Sequence, residues 1–164
     1  MDRAVIVAFG SNLPGEYDSP RALLEAAVTS MGDAGLAVTH VSRWWRSAAW
    51  PDPADPPYVN GVVLIETNLG PAQVLARLHD IERAFGRDRA ARNAPRTLDL
   101  DLIAHGRVVG DAPTIPHPRA HERRFVMGPL AEIAPDWVHP ALGQSAAMLA
   151  RGAGVGADAA PLQD

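Results

Sequence analysis

Apolar and polar positions along the chain repeat with two different periods. Four short segments have apolar residues at strand spacing and are bounded by turn-forming residues such as Gly10 and Gly70, which predicts β-strands. The predicted strands cover residues 4–9, 36–46, 58–68 and 97–104, and a short edge strand is expected to start at 108–109.

Two longer segments have apolar residues at helical spacing. Each starts with a proline in its first turn, Pro20 and Pro71. Proline is tolerated there because N–H groups of the first turn have no hydrogen-bond partner within the helix. The predicted helices cover residues 20–31 and 71–85, with shorter ones at 125–133 and 144–151. Residues 152–164 are rich in Gly and Ala without periodicity, which predicts a disordered tail.

The order of these elements predicts the fold class. Strand, helix, strand, strand, helix, strand is the split arrangement of a ferredoxin-like α/β sandwich in the α+β class. Such a fold has one mostly antiparallel sheet, with both long helices on one face and the short C-terminal helices added. We expect a single domain over residues 1–151.

Composition narrows the class of protein. Of 164 residues, 47% are apolar and 21% are charged, which is typical of a globular domain. Cysteine is absent, so disulfides are excluded, and the net charge of -4 argues against a broad nucleic-acid-binding surface. No apolar run has the length of a membrane span and the start does not resemble a signal peptide, so we expect a soluble cytoplasmic protein.

Asp99 and Asp101 form the first candidate site. Side chains two apart on a strand share a face, which places these carboxylates about 7 Å apart. An oxygen-preferring cation such as Mg²⁺ would relieve their repulsion and bind substrate phosphates as well. The alternative is an exposed strand face with two solvated acids.

Arginines dominate the segment before this acid pair. All 15 cationic residues of the chain are arginine, and five of them lie between residues 83 and 96: Arg83, Arg87, Arg89, Arg92 and Arg96. Guanidinium groups bind phosphate oxygens bidentately and keep their charge, so this loop indicates a nucleotide triphosphate site. A solvated basic loop is the alternative.

Two further sets of residues suit the same chemistry. His117 lies between Pro116 and Pro118, so a helical zinc pair with His121 is not expected, and it is interpreted as a donor to phosphate or as a structural histidine. Tyr58 and Asn60 share a strand face, where a ring and an amide suit a flat heterocycle or pack across strands.

These motifs together resemble the 6-hydroxymethyl-7,8-dihydropterin pyrophosphokinase family. The resemblance runs along nearly the whole chain and is most specific in residues 95–103, Pro-Arg-Thr-Leu-Asp-Leu-Asp-Leu-Ile. Ile115-Pro116-His117, followed by Arg123 and Phe125, is nearly as specific. It implies a monomer that transfers pyrophosphate from ATP to the pterin hydroxymethyl group, leaving AMP, in folate biosynthesis.

The resemblance also implies roles for individual residues. Two Mg²⁺ ions would bind Asp99 and Asp101. The pterin would lie between Tyr58 and Phe125, with Asn60 and the backbone near Ser47 and Ala48 completing its pocket. Glu82 would lie near the adenosine, and the groups that would handle ATP phosphates and ribose are Arg87, Arg89, Arg92, Arg96, His117 and Arg123. Arg87 and Arg92 would act in catalysis from a loop that closes over the substrates, where the chain has Asn93-Ala94 in place of the Trp-Gly that the family often carries.

Two other functions fit the same acid pair. A metal-dependent phosphohydrolase would release phosphate without an acceptor, but Tyr58, Asn60 and Phe125 would then have no role. A non-catalytic pterin- or nucleotide-binding module is the third hypothesis, and the presence of both aspartates argues against it.

Overall fold

The computed structural model of the chain describes residues 3–49, 52, 54–86 and 97–163. Its strands are β1 (Val5–Ser11), β2 (Ala37–Val41), β3 (Trp45–Ser47), β4 (Tyr58–Glu66), β5 (Asp99–His105), β6 (Gly110–Asp111), β7 (Thr114–Ile115) and β8 (Ala160–Pro161). Its helices are α1 (Pro20–Asp33), α2 (Pro71–Ala84), α3 (Arg124–Ile133) and α4 (Ala146–Gly152), with a 3₁₀ turn at Ala120–Glu122.

One antiparallel sheet organises the described residues. Its order is β5-β1-β4-β3-β8, and β2 also pairs with β4. Alternate residues of β1 enter two different cores, as the strand period requires. Val5, Val7 and Phe9 pack under α1 and α2, whereas Ile6 and Ala8 pack under α3 and α4. We call these two sides of the sheet the α1/α2 face and the α3/α4 face, and both long helices contribute to the core of the first.

Helix α1 is slightly longer than predicted. The Ser19 hydroxyl caps its start by accepting from Ala22 N at 3.0 Å. The helix passes through Gly32, the expected stop, and ends at Asp33. Among the described residues, no helix combines the length and the apolar character needed to cross a bilayer.

The single strand predicted for residues 36–46 is wrong, because the structure breaks it into β2 and β3. At the break, the Ser42 side chain takes the place of a backbone group in the β-ladder. Its hydroxyl accepts from Val62 N at 2.9 Å and donates to Arg43 O at 2.7 Å. The two tryptophans that follow lie on opposite faces of the sheet. Trp44 packs in the α1/α2 core, and the Trp45 ring lies against Gly128 of α3 on the α3/α4 face.

The edge strand expected to start at residues 108–109 is also misplaced. Val108 and Val109 are exposed, and pairing begins only at Gly110. Strands β6 and β7 form a separate two-stranded sheet instead of extending the main one.

Residues 152–163 differ from the disordered tail that their composition predicts. Strand β8 pairs with β3, and Leu162 N donates to Trp44 O at 2.8 Å. Backbone hydrogen bonds supply this order, and they need no apolar periodicity, so the sequence carries no signal for them.

Candidate active site

A row of three residues crosses the sheet at the centre of the candidate site. Gly10 of β1 pairs with Asp99 of β5 on one side and with Asn60 of β4 on the other. Two strand spacings separate Asp99 from Asn60, about 10 Å. A Cβ at Gly10 would lie 3.2 Å from Asn60 Oδ1. Because glycine has no side chain, the sheet surface between Asn60 and Asp99 stays open. Sequence reasoning missed Gly10, because only the strand register reveals its position.

The acid pair lies on the α3/α4 face, as the alternation along β5 predicts. Asp99 is half-buried and Asp101 is exposed, while Leu100 and Leu102 point into the opposite core. Their partners on β1 are Gly10 and Ala8, which are small residues. In the described ranges no group of three or more metal-ligating side chains occurs. Two carboxylates fit Mg²⁺, which binds one or two together with water and phosphate oxygens.

Two hydrogen bonds hold the outer edge of β5 on either side of Asp101. The Leu100 N–H donates to Glu82 Oε2 at 3.0 Å, and His117 N donates to Ile103 O at 2.8 Å. Glu82 is fully buried under the sheet. In this conformation its carboxylate therefore contacts the strand, whereas the resemblance assigns it to the adenosine.

His117 lies close enough to Asp101, Arg123 and Arg119 for their charges to act on its ring. Burial lowers its pKa, Asp101 opposes that shift, and Arg123 and Arg119 reinforce it. Its Nδ1 accepts from Arg119 N at 3.1 Å, so the neutral ring carries its proton on Nε2. The histidine can donate a hydrogen bond from that nitrogen.

The β3–β4 pair brings together four residues of the expected pterin pocket. Asn60 is buried, and its Nδ2 donates to Ser47 Oγ at 2.9 Å, which fixes the direction of the amide. Tyr58, half-buried, pairs directly with Ser47. Ala48 follows at the end of β3 with its backbone N–H bonded to Asp158 Oδ2 at 2.7 Å.

Helix α3 and Arg123, the residue before it, contribute two further residues of the site. Phe125 lies in its first turn and is half-buried, and the Arg123 guanidinium lies 5.9 Å from its ring centroid. The helix packs over the sheet through Gly128, where a Cβ would lie 2.6 Å from Trp45 Cη2. Arg123 and Phe125 thus enter the same face as Asn60 and the acid pair.

The arginine loop and its Asn93-Ala94 lie outside the described residues. The predictions for Arg87, Arg89, Arg92 and Arg96 therefore stay predictions. The described chain resumes at Thr97, whose hydroxyl donates to Phe85 O at 2.5 Å. This bond joins the two segments that flank the arginine loop.

Residues 6–135 match the model of the family described as 7,8-dihydro-6-hydroxymethylpterin-pyrophosphokinase. Over 143 residues the chain is 44% identical to the 2-amino-4-hydroxy-6-hydroxymethyldihydropteridine pyrophosphokinase of Synechocystis sp., covering 85% of this chain and 71% of that protein. The protein of the same description from Pseudomonas aeruginosa is 40% identical over 139 residues, covering 83% of each. The chain therefore belongs to the 7,8-dihydro-6-hydroxymethylpterin-pyrophosphokinase family.

Membership decides between the hypotheses that the sequence left open. The family consists of ATP-dependent diphosphotransferases of folate biosynthesis, which favours this activity over a phosphohydrolase or a non-catalytic module. The fold agrees: a solved Plasmodium falciparum HPPK-DHPS triple mutant superposes with a TM-score of 0.72 at 12% identity. The match covers 90% of this chain and 44% of that longer one, and it concerns the fold alone.

Proposed function

We propose that this chain transfers the pyrophosphoryl group of ATP to the hydroxymethyl group of 6-hydroxymethyl-7,8-dihydropterin. The hydroxyl oxygen of the pterin bonds to the β-phosphorus, and the bond from that phosphorus to the bridging oxygen of the α-phosphate breaks. AMP leaves with the bridging oxygen, and the hydroxyl proton is lost. The products are AMP and the pterin diphosphate.

The observation that carries this proposal is the transverse row of Asn60, Gly10 and Asp99. A buried amide with a fixed direction suits the hydrogen-bonding edge of a pterin. A carboxylate about 10 Å away suits a metal-bound triphosphate. With no side chain at Gly10 between them, a substrate can span the row, so heterocycle and phosphate meet on one face.

Asp99 and Asp101 would hold Mg²⁺, and the resemblance implies two ions. The metal supplies charge neutralisation on the triphosphate. The carboxylates themselves would fix where the triphosphate binds, because they lie on an edge strand that is held by the Glu82 carboxylate and by the backbone N–H of His117.

His117 and Arg123 are proposed to contact phosphate oxygens. The lowered pKa of His117 keeps it neutral near pH 7, where it donates from Nε2 without adding charge. Arg123 supplies a permanent charge beside Phe125. Arg87, Arg89, Arg92 and Arg96 are proposed to bind the triphosphate, with Arg87 and Arg92 closest to the reacting groups, as the family resemblance implies.

We also propose a fold type, an oligomeric state and a location for the whole chain. The strand order β5-β1-β4-β3, with α1 after β1 and α2 after β4, supports a ferredoxin-like sandwich. We propose a monomer that acts on small molecules only. The use of ATP supports a cytoplasmic location.

The metal site can be tested with Asp99→Asn and Asp101→Asn, which keep side-chain size and remove the charge. Asp111→Asn is the matched control, because Asp111 is an exposed aspartate on β6. We expect both site variants to lose at least 100-fold in kcat at saturating Mg²⁺, while the control keeps wild-type activity. Full activity in either site variant would contradict the assignment.

A further inference from the structure

The segment of residues 155–162, here called the C-terminal segment, crosses the pterin side of the site. It starts beside α3, where Arg124 N donates to Val155 O at 2.8 Å and Val155 N donates to Glu122 O at 2.9 Å. It ends beside β3, the strand that carries Ser47, where Ala160 pairs with Arg46. The segment therefore connects two sides of the expected pterin pocket, the β3 side with Ser47 and the α3 side with Phe125.

Asp158 contacts the first of these sides. Its Oδ2 accepts a hydrogen bond from the backbone N–H of Ala48 at 2.7 Å. Ala48 is the residue at which the chain leaves β3, so no strand partner fixes its position. A charged acceptor on that N–H defines where the chain runs directly after Ser47.

Gly156 contacts the other side. Its φ is +69°, a conformation that favours glycine, and a Cβ there would lie 2.6 Å from Phe125 Cδ1. The backbone of the segment therefore lies directly against the phenyl ring. Any side chain at residue 156 would displace either the ring or the segment.

A third contact fixes the segment between these two points. Arg124 donates from Nε to Ala159 O at 3.0 Å, and its guanidinium lies 6.0 Å from the Trp45 ring. Arg124 thus links α3, the C-terminal segment and β3.

We propose that the C-terminal segment positions the pterin pocket, with Asp158 holding Ala48 and Gly156 setting the place of the Phe125 ring. This inference rests on the proposed function. A pocket whose walls are held before the ligand arrives binds more tightly, because less ordering is needed on binding. Asp158 contacts Ala48 and Gly156 lies against Phe125, both of which belong to the expected pterin pocket, so the effect falls on the pterin and not on ATP.

Two pairs of variants test the proposal. Asp158→Ala removes the acceptor from Ala48 N, whereas Asp158→Asn keeps an oxygen that can accept. Gly156→Ala forces a side chain against Phe125, whereas Gly154→Ala introduces the same methyl group where no neighbouring atom lies within 4 Å. All four are made in the full chain, and thermal unfolding checks that each is folded.

Steady-state kinetics with Mg²⁺ and both substrates then separate the roles. We expect Asp158→Ala to raise the KM for the pterin about fivefold, as for the loss of one hydrogen bond, and Gly156→Ala to raise it at least as much. The KM for ATP and kcat should stay near wild type, as should all constants of Asp158→Asn and Gly154→Ala. An unchanged pterin KM in Asp158→Ala, or an equal rise in both KM values, would overturn the proposal.

Failure of the proposed function has a different signature. In that case the wild-type chain itself forms no AMP from ATP and the pterin. Calorimetric titration with the pterin alone would still decide the positioning role: weaker binding by Asp158→Ala than by Asp158→Asn supports it, and equal or absent binding overturns it.

Discussion

The Oε2 atom of Glu82 accepts a hydrogen bond from the backbone N–H of Leu100 at 3.0 Å, between the two aspartates of the acid pair. Glu82 lies on α2 and is fully buried, while Leu100 lies on β5 at the edge of the sheet. An edge strand offers unpaired backbone groups on its outer side. The glutamate satisfies one of them, and helix α2 thereby fixes the middle of the strand that carries Asp99 and Asp101.

Glu82→Ala should lower the free energy of unfolding by about 2–3 kcal/mol, because it leaves the Leu100 N–H buried without this acceptor. Glu82→Gln keeps an acceptor oxygen and should lose less. Glu25→Ala on the exposed side of α1 is the control, because it removes only a surface ion pair with Arg21. It should lower the free energy of unfolding by about 0.5 kcal/mol or less. Urea denaturation measures all three, and a Glu82→Ala value equal to the control would contradict this role.

Helix α3 packs on β3 at a point with no room for a side chain. Gly128→Ala should destabilise the fold by about 1–3 kcal/mol, because the new Cβ would lie 2.6 Å from Trp45 Cη2. Gly32→Ala on α1 meets no atom within 4 Å and should instead stabilise by about 0.5–1 kcal/mol. In thermal unfolding we expect Gly128→Ala to lower the Tm and Gly32→Ala to raise it. Equal effects of the two substitutions would contradict the close packing of Gly128 against Trp45.

His139 should make stability depend on pH. Burial lowers its pKa from the ordinary 6.5, and the neighbouring His121 adds to the shift. Its Nδ1 accepts from Ala141 N and Leu142 N, both at 3.1 Å, which requires an unprotonated nitrogen. The folded state therefore binds a proton at His139 less readily than the unfolded state does. The stability that neutral His139 contributes is fully present above pH 6.5 and is lost as the pH falls below that value.

Comparison with His139→Asn isolates this contribution. The amide oxygen can accept the same backbone hydrogen bonds but does not titrate. When the pH is lowered from 7 to 5, the Tm of the wild type should therefore fall more than the Tm of the variant. Parallel curves over that range would exclude His139 as the titrating group.

Ser47→Ala should weaken pterin binding while leaving ATP binding alone. The hydroxyl accepts from Asn60 Nδ2 at 2.9 Å, so its loss leaves a buried amide with a less defined direction. We expect the pterin KM to rise about fivefold. Ser30→Ala on α1, where the hydroxyl donates only within its own helix, is the control and should leave both KM values unchanged.

The sequence predicts the elements well where periodicity is strong and local. Both long helices begin at the expected prolines, and β1, β4 and β5 fall on their apolar runs. The break before β3 was missed because it depends on Ser42 bonding to Val62, twenty residues away. Such a side-chain bond leaves no mark in the alternation of apolar residues.

The candidate site was predicted as a set of residues but not as an arrangement. Tyr58, Asn60 and the acid pair could be identified from spacing and resemblance, yet the register that aligns Asn60, Gly10 and Asp99 is a property of the folded sheet. Asp158 was missed altogether, since it acts from a Gly- and Ala-rich segment without periodicity. Its hydrogen bond to Ala48 could not be inferred, because 110 residues separate the two in the sequence.

Phosphorus NMR of a complete reaction tests the central claim most directly. Wild-type chain, Mg²⁺, ATP and 6-hydroxymethyl-7,8-dihydropterin should give AMP and the pterin diphosphate in equal amounts, with the β- and γ-phosphates transferred together and no ADP. Omission of the pterin should leave ATP intact. Formation of ADP, or release of phosphate from ATP without the pterin, would contradict pyrophosphoryl transfer.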